Sequence, residues 1–240
     1  MKVAIVTGGG SGIGAALCRI LGERDHRVAV ADLDLPAAER VAVACGGTAF
    51  PVDVGDEQSV VALFNSVHEA FGQLDALATP AAIADTTPFM ELSVERWMQI
   101  YRINVVGTWL CIREAAKRMK KGGRICTVSS IAGKRGGGVA GTAAYAASKG
   151  AVIALTRNAA RVFGPQGIAV NGVVPGGTAT PMGKQVMPTP EREAQAIAAH
   201  PIGRLAEPEE IASAIAWLLS PESSYVLGEM LTVDGGVMMD

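Results

Sequence analysis

The chain has 240 residues, 49% of them hydrophobic and 18% charged, with a formal net charge of −2. This suits one large α/β domain or two small ones with a sizeable core, and it offers no charged field for nucleic acid or anionic lipid. The apolar run at 3–6 is too short for a signal peptide and no stretch approaches a membrane span, while four cysteines (Cys18, Cys45, Cys111, Cys126) and three histidines (His26, His68, His200) lie scattered, which argues for a cytoplasmic protein with buried thiols and no metal.

Residues 2–7 form an apolar β-branched run, the first expected strand. A helix over 12–24 follows, with Ile13, Leu17, Ile20 and Leu21 on one face. Next come a strand at 27–31, an Ala-rich helix at 35–45, a strand at 48–52, a helix at 57–71 and a strand at 74–78. A long helical pattern covers 94–120, with Asn104-Val105-Val106-Gly107 opening or interrupting it. Strands at 124–129, 168–173 and 230–233 and helices at 144–163 and 207–219 complete the pattern. Strict strand–helix alternation implies right-handed crossovers and an α/β fold, a doubly wound parallel sheet of about seven strands with helices on both faces. One domain over 1–240 is expected, and its long irregular stretch, 176–208, reads as a substrate lid containing short helices.

The first strand runs into Thr7-Gly8-Gly9-Gly10-Ser11-Gly12-Ile13-Gly14. Glycines at a strand–helix junction let the backbone approach a pyrophosphate and aim amide N–H groups at it. Gly8, Ser11, Gly12, Ile13 and Gly14 are therefore expected dinucleotide contacts on a Rossmann-like fold. The spacing is Gly-x-x-x-Gly-x-Gly, neither G-x-G-x-x-G nor a P-loop. Asp32 ends the second strand, where a carboxylate accepts hydrogen bonds from adenosine ribose hydroxyls. The competing role is to cap the next helix, which Asp34 fills equally well. Asp53 and Val54 follow the third strand and suit an adenine contact, or for Asp53 a turn cap. Tyr145 and Lys149 are four apart on a helix, so phenol and ammonium share a face. A nearby cation stabilises phenolate, and such a tyrosine can exchange a proton with an alcohol.

The glycine loop, Asn104-x-x-Gly107, Ser129-Ser130-Ile131-Ala132-Gly133, Tyr145-x-x-x-Lys149, Pro175-Gly176-x-x-x-Thr180 and the ending Val233-Asp234-Gly235-Gly236, in that order, resemble the short-chain dehydrogenase/reductase family over essentially the whole chain. The resemblance implies an enzyme that interconverts a secondary alcohol and a ketone on a small molecule with NAD(H). It implies Tyr145 as general acid/base, Ser130 as hydrogen-bond donor to the reacting oxygen, and Lys149 as binder of the nicotinamide ribose that depresses the Tyr145 pKa. Asn104 would hold a water linking Lys149 to solvent. Thr180 would contact the carboxamide or a phosphate, with Ala81, Pro175, Gly176 and Thr178 as further cofactor contacts. A homotetramer or homodimer is implied. NAD follows from Asp32, and from Ser11 and Leu33 at positions where NADP-using relatives carry Arg or Lys.

Three departures stand out. Thr79-Pro80-Ala81-Ala82 replaces the usual Asn-Asn-Ala-Gly, so one backbone donor is lost and a methyl added beside the cofactor. Thr178 replaces an aliphatic residue. A glycine-rich stretch, Gly136, Gly137, Gly138 and Gly141, is expected to shape the substrate entrance, with Lys134 and Arg135 as solvated charges. In the lid, Met182, Val186, Met187 and Ile197 either line a hydrophobic pocket or pack the lid on the domain. Two other readings are a non-catalytic dinucleotide-binding regulator and a 3-oxoacyl-thioester reductase. The intact Asn104, Ser130, Tyr145 and Lys149 set opposes the first. Asp32 and Gln166, where a basic residue beside Lys121 is usual, oppose the second.

Overall fold

Short β-branched runs become strands and the longer 3.6-period segments become helices in a computed structural model that describes residues 1–138 and 142–239. The strands are β1 (Lys2–Thr7), β2 (His26–Asp32), β3 (Thr48–Pro51), β4 (Ala76–Thr79), β5 (Arg124–Val128), β6 (Ala169–Pro175) and β7 (Met230–Val233). They form one parallel sheet in the order β3-β2-β1-β4-β5-β6-β7. β1 pairs with β2 from Lys2↔His26 to Thr7↔Ala31, and with β4 from Ala4↔Ala76 to Val6↔Ala78. The winding direction reverses at β1 and β4, and the carboxyl ends of strands at such a switch point open into a ligand crevice.

The helices are α1 (Gly12–Glu23), α2 (Leu35–Cys45), α3 (Glu57–Phe71), α4 (Val94–Tyr101), α5 (Gly107–Arg118), α6 (Ile131–Arg135), α7 (Ala143–Phe163), α8 (Pro181–Val186), α9 (Pro190–Ala198) and α10 (Pro208–Leu218). Alternate strand residues point to opposite faces. Val3 and Ile5 therefore join Val60, Phe64, Leu110 and Ala159 of α3, α5 and α7 in one core. Ala4 and Val6 join Leu17, Leu21, Ala38, Ile211 and Ile215 of α1, α2 and α10 in the other. Among the described residues no helix is long and apolar enough to cross a membrane, and no metal-binding cluster of His, Cys, Asp and Glu occurs.

Of four local features, the break at Asn104 and the short helices of the lid agree with the sequence expectations, whereas α6 and the start of β4 differ from them. The helical pattern at 94–120 is interrupted by a π-helical turn, Arg102–Val106, which carries Asn104 on its buried side. Gly107 follows because a Cβ there would sit 2.8 Å from the Val54 carbonyl. The five-residue α6 is too short for any periodicity to show; Ser130 caps its start and Gly136, at φ 78°, ends it. The lid holds two short helices, each entered through a Thr-Pro pair (Thr180-Pro181 and Thr189-Pro190) that supplies an N-cap and a preset φ. β4 begins at Ala76 rather than at 74, because the Asp75 carboxylate accepts the Val3 N–H at 2.8 Å.

Candidate active site

A cavity of about 430 Å³ opens over the carboxyl ends of the strands. One end is the glycine loop. Gly8 and Gly12 have φ of 65° and 49°. A Cβ on Gly14 would collide with the Gly8 carbonyl oxygen, and one on Gly8 would lie 2.8 Å from Ala81 backbone. Gly8, Ser11, Gly12, Ile13, Gly14 and Ala81 all border the cavity. The loop is thus a bare-backbone cradle that side chains would fill.

Asp32 borders the same end. Its Oδ2 accepts the Gly10 N–H at 2.8 Å and its Oδ1 the Asp34 N–H at 3.0 Å. Asp34 itself caps α2 by accepting the Ala37 N–H at 3.0 Å. Asp34 thus takes the capping role, while Asp32 braces the glycine loop and borders the cavity. Asp53 caps its turn and also borders the cavity. Its Oδ1 accepts the Gly55 N–H at 2.8 Å, and with Val54 it lines the wall.

The other end holds the reacting groups. Tyr145, in the first turn of α7, is buried, and it shares the cavity with Ser130 at the head of α6. Burial raises the Tyr145 pKa, and the nearby Ser130 hydroxyl works against that rise. The Ser130 Oγ also accepts the Ala132 N–H at 3.1 Å. Ser129 is buried with its hydroxyl donating to the Lys149 carbonyl at 2.7 Å, a structural tie between β5 and α7. Lys149 is 2% exposed; its Nζ donates to the Val128 carbonyl at 2.8 Å and stands 5.8 Å from the Tyr145 ring centroid. Burial pulls its pKa down to about 8. Both groups are thus pushed toward their neutral forms, so burial, more than the Lys149 charge, governs the phenol.

Asn104 is fully buried behind this pair and does not border the cavity. Its side chain accepts the Ile83 N–H at 2.9 Å and donates to the Ile83 carbonyl and to Ser148 Oγ, both at 3.0 Å. Ser148 Oγ donates in turn to the Tyr145 carbonyl at 2.7 Å. Asn104 therefore ties the segment after β4 to α7. Pro175, Gly176, Thr178 and Thr180 close the far wall. The Thr180 hydroxyl caps α8 at Gly183 N (3.0 Å), and a Cβ on Gly12 would lie 3.1 Å from its methyl. Thr178 donates to the Gly176 carbonyl at 3.1 Å.

Pro80, Ala81 and Ala82 line the cavity between its two ends. Thr79 is buried, and its hydroxyl and that of Thr7 are the two buried side-chain polar atoms without a partner among the described residues. Sequence reading missed His200, which has no nearby motif to mark it. It lines the cavity from beyond α9, accepting the Gly177 N–H at Nε2 (2.9 Å), which leaves Nδ1 to donate to the Ala196 carbonyl (2.6 Å). Arg135, expected to be only a solvated charge, is exposed but borders the cavity. Met182, Val186 and Met187 line it, whereas Ile197 does not. Gly137 and Gly138 border the entrance, and Gly141 lies outside the described residues.

A family model described as enoyl-(acyl carrier protein) reductase matches residues 8–238. The 2,5-dichloro-2,5-cyclohexadiene-1,4-diol dehydrogenase of Sphingobium indicum is 43% identical over 242 residues, covering 98% of this chain and 96% of that one. The cis-4-hydroxycyclohexanecarboxylate dehydrogenase of Sinomonas cyclohexanicum is 43% identical over 243 residues, with coverage of 98% and 96%. A crystal structure of a dehydrogenase/reductase from Sinorhizobium meliloti 1021 aligns with a TM-score of 0.93 at 33% identity, over 99% of this chain and 95% of that one. With this fold, the glycine cradle and the Ser130–Tyr145–Lys149 cluster, the chain belongs to the short-chain dehydrogenase/reductase family and is a nicotinamide-dinucleotide-dependent oxidoreductase that interconverts secondary alcohols and ketones.

Proposed function

We propose that the enzyme uses NAD(H) to oxidise a secondary alcohol on a small alicyclic ring, or to reduce the matching ketone, with Tyr145 as general acid/base. The observation that carries this reading is that Ser130, Tyr145 and Lys149 line one end of a cavity that runs on to the glycine loop and Asp32. The substrate body follows from the relatives named for cyclohexane- and cyclohexadiene-based alcohols and from the apolar Ala84, Met182, Val186 and Met187 around the reacting end.

When bound, the nicotinamide supplies or accepts the hydride. In oxidation the Tyr145 phenolate takes the hydroxyl proton as the carbinol carbon gives up its hydrogen; in reduction the phenol donates that proton to the developing alkoxide. Ser130 donates a hydrogen bond to the same oxygen and fixes it. Lys149 holds the ribose hydroxyls and, with a pKa near 8, passes a proton at moderate cost. Asn104 spends its side chain on Ile83 and Ser148, so a relay water would sit on the second lone pair of its carbonyl, the first being taken by Thr108 Oγ1 at 2.8 Å. Asp32 serves the adenosine ribose. Among the described residues, Lys149 and Arg135 are the Lys and Arg residues that border the cavity, and both come from the elements of the reacting end, α7 and α6, so none of them stands beside Asp32 to balance the phosphate of NADP. We place the enzyme in the cytoplasm as a homo-oligomer.

A 3-oxoacyl-[acyl-carrier-protein] reductase of Vibrio cholerae, 36% identical over 242 residues, favours a second reading, reduction of the 3-oxo group of a carrier-bound acyl thioester. Asp32 and Gln166 oppose it, as they do in the sequence. Tyr145→Phe tests the primary reading. Loss of a general acid/base should lower turnover of cyclohexanol-type substrates by about 10²–10⁴, while NADH affinity by fluorescence titration stays within a few-fold. A variant that keeps most of its activity removes Tyr145 from the chemistry.

A further inference from the structure

Asp32, Asp53, Lys149 and Arg135 are the Asp, Glu, Lys and Arg side chains bordering the cavity. Three are engaged. Asp32 and Asp53 accept loop amides at the adenosine end, and Lys149 is buried with its Nζ on the Val128 carbonyl. Arg135 differs: among the described residues its guanidinium makes no hydrogen bond or ion pair, although it borders the cavity beside the reacting groups. Its neighbour Lys134 turns away and donates to Thr232 Oγ1 at 2.8 Å.

Local structure keeps the Arg135 head uncrowded. α6 ends at Arg135 in a left-handed Gly136, and Gly137 and Gly138 follow at φ 125° and 146°. A Cβ built on Gly138 would lie 3.9 Å from Arg135 Cζ, so bare backbone flanks the guanidinium there. Ser130 begins the same helix. Arg135 follows it by five residues, about 7 Å along the helix axis and about 140° around it, so it is the length of the arginine side chain that lets the residue border the same cavity. Ala84, Met182, Val186 and Met187 cluster with Tyr145 and give this end of the cavity apolar walls. A guanidinium presents a planar fork of donors that matches a carboxylate in a bidentate pair.

We propose that Arg135 receives a carboxylate on the substrate, so that the substrate class is a hydroxy- or oxo-cycloalkanecarboxylate held by its oxygen at Ser130 and Tyr145 and by its acid at Arg135. This deepens the alicyclic-alcohol reading and rests on it. Carboxylate recognition sets KM and selectivity, and the proton and hydride chemistry is unchanged.

The test compares cis-4-hydroxycyclohexanecarboxylate with its uncharged methyl ester as substrates for wild type, Arg135→Ala and Arg135→Lys, in NAD-linked assays. Wild type should prefer the acid at least tenfold in kcat/KM. That acid-to-ester ratio should fall at least tenfold in Arg135→Ala, mainly through KM, and recover in part in Arg135→Lys. Calorimetric titration with cyclohexanecarboxylate, which has no reacting hydroxyl, should show binding at least tenfold weaker in Arg135→Ala. Turnover of the ester with an acid-to-ester ratio indifferent to Arg135, or equal calorimetric affinities, overturns the anchor and leaves the alcohol-dehydrogenase reading standing. Failure of wild type to oxidise either compound or any cyclohexanol, with NADH still bound, overturns both.

Discussion

At the scale of single residues, the site turns on which of two adjacent candidates faces the cavity. Asp32 and Asp34 read alike in sequence, as do Ser129 and Ser130. The Ala37 amide claims Asp34 and the Lys149 carbonyl claims Ser129, three and twenty residues away. The Tyr145/Lys149 spacing was legible because four residues on a helix share a face. Their protonation balance was not, because burial acts on both, raising the phenol and lowering the amine. Asp32 carries the cofactor prediction. A carboxylate about 4 Å from the NADP phosphate is repelled by on the order of 4 kcal/mol at an effective dielectric near 20. After screening about 1.4–3 kcal/mol remains, a ten- to hundredfold preference. Steady-state kinetics should show kcat/KM at least tenfold higher with NAD(H). Asp32→Asn should narrow that gap, and it is a better probe than Ala because its amide oxygen can still accept the Gly10 or Asp34 N–H. A wild-type preference for NADPH would remove the ribose role from Asp32.

At the scale of elements, every long helix and all seven strands were legible, since each spans enough residues for its period to show. Among the shorter features, a break at Asn104 and short helices in the lid were legible, but α6 and the π-helical form of the break were not. α6 has five residues, and the π-helical turn at Asn104 preserves a helical pattern while adding one residue to it. The segment after β4 hid a clamp that no motif announced. Asp85 is 5% exposed and accepts from Arg96 Nε at 2.9 Å, from Thr142 Oγ1 at 2.9 Å, and from the Thr87 N–H and hydroxyl, each at 3.1 Å. It joins α4 to Thr142, the residue that opens α7 three positions before Tyr145. Burial tends to raise the Asp85 pKa, but the hydrogen bonds from Arg96, Thr142 and Thr87 outweigh it and hold the pKa below the usual carboxylate range. The unfolded value is about 3.9, so this contribution is complete above that pH and fades as pH falls through the lower folded value. Asp85→Asn should lose about 1–3 kcal/mol at pH 7, discounted from a fully buried pair because Arg96 is one-third exposed. Urea unfolding from pH 7 down to pH 3 should show a shallower acid decline in the variant than in wild type. Parallel declines would mean that Asp85 does not contribute through its charge.

At the scale of the whole molecule, two groups of exposed apolar side chains stand out among the described residues. Val94, Met98, Val106 and Trp109 are 72%, 59%, 41% and 44% exposed along α4 and α5, at spacings that put them on one stripe. Val162, Tyr225 and Leu227 are 50%, 103% and 53% exposed where α7 ends and β7 forms the open edge of the sheet. Exposed apolar side chains, where they form a contiguous patch, are the usual seat of association. A single self-complementary patch builds a twofold dimer, whereas two distinct ones on one chain build a tetramer with dihedral symmetry. Sedimentation equilibrium should therefore give a tetramer for wild type. A charge placed in a desolvated interface opposes association strongly. Trp109→Glu should thus leave a dimer held by the second patch, Leu227→Glu a dimer held by the first, and the double variant a monomer. A wild-type monomer, or a single variant that falls directly to monomer, would show that the two patches do not act as independent interfaces.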